Sequence, residues 1–175
     1  MFNILVENLE VIMIKKYIIT FLISMVPIVE LRGAVPFGLS EAMGGSLPVV
    51  PLYIIAVLGN MLPVPLIFFF ARKVLEWGQD KKFIGKCFTW MLEKGEKGGK
   101  KLTEKAGRSV YIALLLFVGI PLPGTGAWTG TLAASLLDLD FKKSVVAIMA
   151  GVVLAGVIMG LASAGVLGAI GAFIK

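Results

Sequence analysis

The sequence predicts an all-α integral membrane protein arranged as an inverted repeat. Each half is expected to hold one re-entrant helical hairpin and one transmembrane helix, with amphipathic helices at the membrane interface. Of the 175 residues, 58% are hydrophobic and 16% are charged, whereas soluble domains carry about 45–50% apolar and about 25% charged residues. Two uncharged runs are long enough to cross a bilayer, and two further apolar runs are broken by Pro and Gly.

The first broken run predicts the first hairpin. Tyr17–Val29 offers only 13 residues before Glu30 and Arg32, and an apolar stretch that contains Pro36 then follows. A helix of 13 residues crosses only about half of the membrane, so the chain is expected to turn at the charged residues and return to the same side. We therefore expect a hairpin over about 17–45, with its tip at 27–36.

The remaining apolar runs predict the second hairpin and both spans. Ser109–Leu137 is uncharged, but its middle, Gly119–Gly126, contains two prolines and cannot continue a straight helix. It predicts a hairpin over about 108–137. Val49–Ala71 and Ser144–Ile174 are uncharged and exceed the ~20 residues that a crossing needs. The alternative is four ordinary spans with proline kinks.

An offset of 91 residues relates two halves of one membrane domain, 1–175. It places the first tip on the second and Val49–Ala71 on Asp140–Ala162. We expect repeat halves of about 1–72 and 82–175. One hairpin and one crossing per half would invert the second half relative to the first, as in many transporters.

A basic segment, 72–108, joins the halves. It holds eleven Lys/Arg and five Asp/Glu, and so carries the whole net charge of +6. Because it lies between apolar stretches, it indicates a cytoplasmic loop against anionic lipids rather than a nucleic-acid site. Residues 83–92 have the spacing of an amphipathic helix. We expect a multi-pass protein of a prokaryotic cytoplasmic membrane with both termini outside; four plain spans would place both termini in the cytoplasm.

Several function classes are excluded by residue types. The single cysteine excludes a disulfide framework and a cysteine-rich metal site, and the lack of histidine removes histidine-based catalysis. The sequence has no metal cluster, nucleophile–base pair or phosphate loop. We expect no catalytic residue, no metal, no cofactor and no enzymatic activity. The length is short for a transporter that acts alone, which favours a homo-oligomer.

Glu30 and Arg32 are the main candidate site residues. They are the only charges between Lys16 and Glu41, and charges inside a membrane normally face a cavity or a partner. Glu30 is suited to bind a proton, and the fork of Arg32 is suited to an anion such as a phosphate. The alternative is that Glu30 makes a static contact with Arg32 or with backbone.

The second tip offers backbone groups instead of charges. A helix that starts near Thr125 would point free N–H groups at an anionic ligand, and the ring of Trp128 could stack on a cation. Asn60 in the first span is able to hydrogen-bond to a tip. Turn formation and plain packing are the alternatives for these residues. The other candidate substrate- or proton-binding residues are the tip residues Pro36, Pro121, Pro123 and Gly124.

Two motifs carry a family resemblance. Residues 30–36, Glu-Leu-Arg-Gly-Ala-Val-Pro, and residues 121–130, Pro-Leu-Pro-Gly-Thr-Gly-Ala-Trp-Thr-Gly, resemble the small multidrug export protein family. That family is more distantly similar to the DedA/VTT membrane proteins, which have paired re-entrant hairpins and act as lipid carriers or scramblases. The resemblance places the DedA acid at Glu30. Residues 121–130 lack the arginines of the DedA second hairpin.

The sequence and the resemblance together predict transport. We expect a carrier of an amphipathic substrate, such as a lipid phosphate or a lipophilic cation, coupled to protons through Glu30. An energy-independent lipid scramblase and a structural membrane protein without transport are the alternatives. Membrane lipids and protons are the expected partners.

Overall fold

A computed structural model describes residues 2–41, 45–81 and 109–174, and residues 85, 86, 89 and 93 of the segment between them. The described residues contain helices and connecting turns but no strand. The helices are α1 (Phe2–Met25), α2 (Glu30–Leu39), α3 (Val49–Met61), α4 (Pro63–Gln79), α5 (Ser109–Gly119), α6 (Ala127–Leu136) and α7 (Phe141–Ile174). The predicted all-helical class is therefore confirmed.

Two stretches of the described chain are long and apolar enough to cross a membrane, Val49–Gln79 and Phe141–Gly165. They overlap the two spans that the sequence predicts. The first consists of α3 and α4, which meet at Leu62 before Pro63. Leu62 keeps helical dihedral angles, so the proline, which has no N–H to donate, interrupts the hydrogen bonding without turning the chain back.

The first helix pair differs from the predicted boundaries. Helix α1 begins at Phe2 rather than near residue 17, and the turn occupies 26–29 rather than 27–36. The chain reverses around Ile28, which has a φ of 73°. Pro36 lies inside α2 and not in the turn, because a proline removes only one backbone donor and the Ser40 N–H still bonds to the Pro36 carbonyl at 3.0 Å.

The second helix pair follows the predicted boundaries closely. Helix α5 ends at Gly119 and α6 begins at Ala127, so the break falls at 120–126. Gly124 and Gly126 have φ angles of 80° and 135°, a region that is open to glycine and strained for other residues.

Helix α7 lies at the centre of the packing and contacts α2, α3, α5 and α6. Small residues of α7 allow close contact with two neighbouring helices, α5 and α3. Gly151 lies against the backbone carbonyl of Leu115 in α5, and Gly156 and Gly160 lie against the ring of Tyr53 in α3. The Tyr53 hydroxyl donates to the Gly156 carbonyl at 2.7 Å. The close helix contacts that these small residues permit are therefore formed.

The linking segment is mostly outside the described residues. Of the predicted amphipathic helix, 83–92, the structure describes Gly85, Lys86 and Thr89, each of them helical. The rest of that helix, and most of the basic segment 72–108, lies outside the described residues.

Candidate functional site

Glu30 joins the two helix pairs. It is the first residue of α2, its side chain is only 3% exposed, and its backbone has a φ of 52°. Its carboxylate accepts the backbone N–H of Ala127 at 3.2 Å and that of Trp128 at 3.0 Å. These two N–H groups belong to the first turn of α6, where no intrahelical acceptor exists. The negative charge thus sits at the end of α6 where the helix dipole is positive.

Gly126 makes room for this contact. A β-carbon at position 126 would overlap with the carboxylate of Glu30, and the φ of 135° at this residue also disfavours any side chain. The glycine therefore allows the acid to approach the helix end directly. The anion at this helix start is, in the structure, the protein's own Glu30.

Arg32 holds the other end of the same break. Its guanidinium donates to the carbonyls of Leu122 at 2.8 Å, Val118 at 3.1 Å and Ile120 at 3.2 Å. It also donates to the hydroxyl of Thr125 at 2.8 Å. The carbonyls at the end of α5 and in the following turn lack helical partners, and a cation is favourable there. The fork of Arg32 is thus largely occupied by backbone rather than left open for an anion.

The two charges of the first turn region therefore satisfy the backbone of the second turn. Glu30 accepts from the start of α6, and Arg32 donates to the end of α5. In an apolar environment each unsatisfied backbone group costs several kcal/mol, so irregular backbone needs partners of this kind. The name "tip junction" is used below for residues 30–32 and 118–128.

Two N–H donors at the tip junction remain unused. The Nε of Arg32 and the indole Nε1 of Trp128 are buried and have no hydrogen-bond partner within the described part of the chain. Asn60 is 2% exposed, and its Oδ1 also lacks a partner among the described residues. The predicted hydrogen bond from Asn60 to a tip is therefore not formed in this structure.

The other candidate residues have plainer surroundings. Pro36 is half-buried inside α2, and Pro121 is half-buried in the turn. Pro123 and Gly124 are exposed in that turn, and a β-carbon at Gly124 would meet open space. Pro121, Pro123 and Gly124 shape the turn within the tip junction, whereas Pro36 lies outside it, in α2.

Lys16 is a buried charge that sequence reasoning left without a role. It is fully buried on α1, and its ammonium donates to the carbonyls of Ser40 at 2.6 Å and Gly45 at 2.5 Å. It therefore fixes the end of α2 and the loop that follows. The sequence contains an indication of this role, because Lys16, Thr20 and Ser24 are spaced four residues apart on an apolar helix. In the structure these three residues form one fully buried polar stripe.

Arg72 also has a role that its position in the basic segment concealed. It pairs with Glu76 on α4 at 3.0 Å and with Asp138, in the turn after α6, at 2.5 Å. Close by, the Ser135 hydroxyl donates to the Phe68 carbonyl at 2.7 Å. These contacts attach the end of α6 to α4.

The chain matches the model of a known protein family. The model of the family described as "Putative small multi-drug export protein" matches residues 30–158, which is more than half of the chain. The chain belongs to the small multidrug export protein family. The match begins at Glu30 and spans the tip junction. The resemblance that the two motifs predict is thereby confirmed at the level of this family.

The family name indicates transport out of a cell or compartment, which is not a class of enzyme. Together with the two apolar helices, membership of the small multidrug export family indicates a membrane protein. No curated protein and no solved structure matches the chain. The more distant likeness to DedA/VTT proteins stays a prediction.

Proposed function

We propose that this member of the small multidrug export family is a multi-pass transporter of a prokaryotic cytoplasmic membrane. It moves amphipathic or lipid-like substrates and couples their movement to protons through Glu30. The observation that carries this proposal is the placement of one buried carboxylate across the tip junction, on the N–H groups of Ala127 and Trp128.

The proposed architecture is an inverted repeat of re-entrant hairpins. Two features support it. Each half has two helices joined by a break and then a spanning segment, and the second helix of each pair packs on spanning segments of both halves: α2 on α3 and α7, and α6 on α4 and α7. The irregular backbone of the second tip also finds its partners in Glu30 and Arg32, which would allow it to lie at membrane depth. The basic segment 72–108 would then face the cytoplasm.

Proton binding to Glu30 would loosen the tip junction. An ionised carboxylate has two oxygens that accept the N–H groups of α6, and its charge complements the helix dipole. A proton removes the charge and converts one oxygen into a hydroxyl donor, so at least one of the two bonds is lost. The strained backbone at Glu30, with its φ of 52°, fits a residue held in place for a function.

The release of Glu30 would couple proton binding to substrate binding at the tip junction. Release of Glu30 frees two backbone N–H groups beside the two unused donors, the Nε of Arg32 and the Nε1 of Trp128. The two freed N–H groups at the helix start suit the oxygens of a phosphate or a similar polar head. The ionised carboxylate of Glu30 and an anionic head would thus replace one another at the start of α6, and a proton on Glu30 would accompany the head.

An apolar cavity in the second helix pair suits the other end of an amphipathic molecule. It has a volume of about 420 Å³ and lies between α5 and α6. Its lining includes Val110, Leu114 and Ala134, and it reaches Phe117, the neighbour of Val118, whose carbonyl accepts from Arg32. A polar head at the junction and an alkyl chain in the cavity would match the two environments.

The test is transport by the purified chain in liposomes. Fluorescent phospholipids and a lipophilic cation are supplied separately, each with and without a pH gradient. We expect accumulation or directional movement that requires the gradient. Equilibration of lipid at the same rate without a gradient would replace the proposal with a scramblase, and no movement of either probe above protein-free liposomes would favour a structural role.

A further inference from the structure

We propose that a groove between α5 and α7 binds an anionic phospholipid on the outer surface of the bundle. This site is separate from the tip junction and does not depend on the proposed transport. The groove has a volume of about 500 Å³. One end is marked by Lys142 and Lys143, and the rest is lined almost entirely by apolar atoms, among them those of Ile112, Val146 and Ala150.

The position of the groove along α7 fits a lipid. Lys142 and Lys143 stand at the start of the candidate span Phe141–Gly165, where long cationic side chains reach the headgroup level. From Lys142 to Ala150 the helix rises by about 12 Å at ~1.5 Å per residue. The groove therefore starts at the membrane surface and descends into the hydrocarbon region, as the phosphate and the upper acyl chain of a phospholipid do.

The exposed apolar lining faces outward. Ile112 is 59% exposed and Val146 is 68% exposed, and Ala150 is also exposed. In a membrane protein such a surface is covered by acyl chains. The depression between the two helices gives one chain a defined place.

The charges at the mouth favour an anionic head. Neither lysine forms an ion pair with another residue that the structure describes. Asp140 accepts the backbone N–H of Lys143 at 2.9 Å and Asp138 pairs with Arg72, so neither acid forms an ion pair with Lys142 or Lys143 in the described part of the chain. Lys143 also lies over the ring of Tyr111, with its Nζ 5.8 Å from the centroid, which places its charge above the groove.

The test is native mass spectrometry of the full chain in mild detergent with equal amounts of phosphatidylglycerol and phosphatidylcholine. The wild type is expected to retain phosphatidylglycerol. Lys142→Gln/Lys143→Gln is expected to lower this retention by about tenfold or more, because each lysine near an anionic headgroup contributes appreciably. Ala150→Phe keeps both lysines but fills the groove, and we expect it to lower retention of both lipids.

A matched control separates a built site from general surface charge. Lys73 is exposed near the end of the other candidate span, and its Nζ lies 5.9 Å from the centroid of the Phe70 ring, but it lines no part of this groove. Lys73→Gln is expected to retain lipid as the wild type does. Glycerol 3-phosphate, which carries the head without a chain, is expected not to displace the lipid.

Four outcomes would overturn the proposal. They are unchanged lipid retention in the double lysine variant, an equal loss in Lys73→Gln, and full displacement by glycerol 3-phosphate. The fourth is loss of a dimer in Ala150→Phe with lipid retention unchanged, which would make the groove an interface between two copies of this chain.

Discussion

The carboxylate of Glu30 accepts the backbone N–H of Trp128 at 3.0 Å, although 98 residues separate the two along the chain. The bond joins the start of one short helix to the start of the other. A charge of suitable sign at a helix end stabilises by up to about 2 kcal/mol when it is partly buried. The tip junction is therefore held by electrostatics and hydrogen bonds, both of which respond to the charge on Glu30.

Gly126→Ala should destabilise the protein strongly. The added methyl group would overlap with the Glu30 carboxylate, and the φ of 135° is strained for alanine. Together these effects should lower the free energy of unfolding by at least about 2 kcal/mol. Chemical unfolding in detergent micelles measures the change.

Gly124→Ala is the matched control for that substitution. Its φ of 80° also disfavours a side chain, without the ψ of −175° that makes the backbone of Gly126 essentially restricted to glycine, and the new methyl group would meet open space. We expect a loss of about 1 kcal/mol, from the backbone alone. Equal losses for the two variants would show that Gly126 does not serve to admit Glu30.

Arg32 and Thr125 should be energetically coupled. Arg32→Lys removes the planar fork that reaches three carbonyls and the Thr125 hydroxyl, and Thr125→Val removes one of those acceptors. In a double-mutant cycle we expect a coupling energy of at least about 0.5 kcal/mol. Thr20→Val makes the same change at a hydroxyl that donates to the Lys16 carbonyl within α1, so its cycle with Arg32→Lys should show no coupling energy. Additive losses for Arg32 and Thr125 would contradict the observed bond.

Lys16→Met should lower the free energy of unfolding more than the same substitution at the neighbouring Lys15 does. The methionine keeps the length of the stem but leaves the carbonyls of Ser40 and Gly45 without their donor, at about 1–3 kcal/mol in a buried site. Lys15 is exposed, and Lys15→Met should change stability by less than about 0.5 kcal/mol. Thermal unfolding of both variants in the same detergent makes the comparison, and equal melting temperatures would refute the role of Lys16.

The second break could be predicted to within a residue because its signal is local. Two prolines and several glycines between 119 and 126 leave no helical alternative. The break that the sequence predicts at 27–36 extends beyond the observed turn at 26–29 because it includes Pro36. Proline disfavours a helix interior, but within α2 the bonds around Pro36 persist. Local propensity therefore located the second tip and misjudged the first.

The partners of the charged residues could not be predicted from the sequence. Glu30 and Arg32 stand out as isolated charges in an apolar stretch, so their importance was visible. They bond mainly to backbone groups within 118–128. Because almost every residue has the same backbone N–H and C=O groups, residue types do not reveal which of them bind these side chains. Lys16 is different, since the repeat of polar residues on α1 indicates a buried face even though it does not identify what that face contacts.

The most direct test of the account is gradient-driven transport by Glu30→Gln. The amide retains the size of the side chain but cannot exchange a proton, and it offers the α6 N–H groups one good acceptor instead of two. Glu10→Gln makes the same change at an exposed acid on α1 and serves as the control. Transport rate and melting temperature are measured on the same purified proteins in liposomes and detergent. We predict that folded Glu30→Gln loses gradient-driven transport while Glu10→Gln retains it. Full gradient-driven transport by a stable Glu30→Gln protein would contradict proton coupling through Glu30.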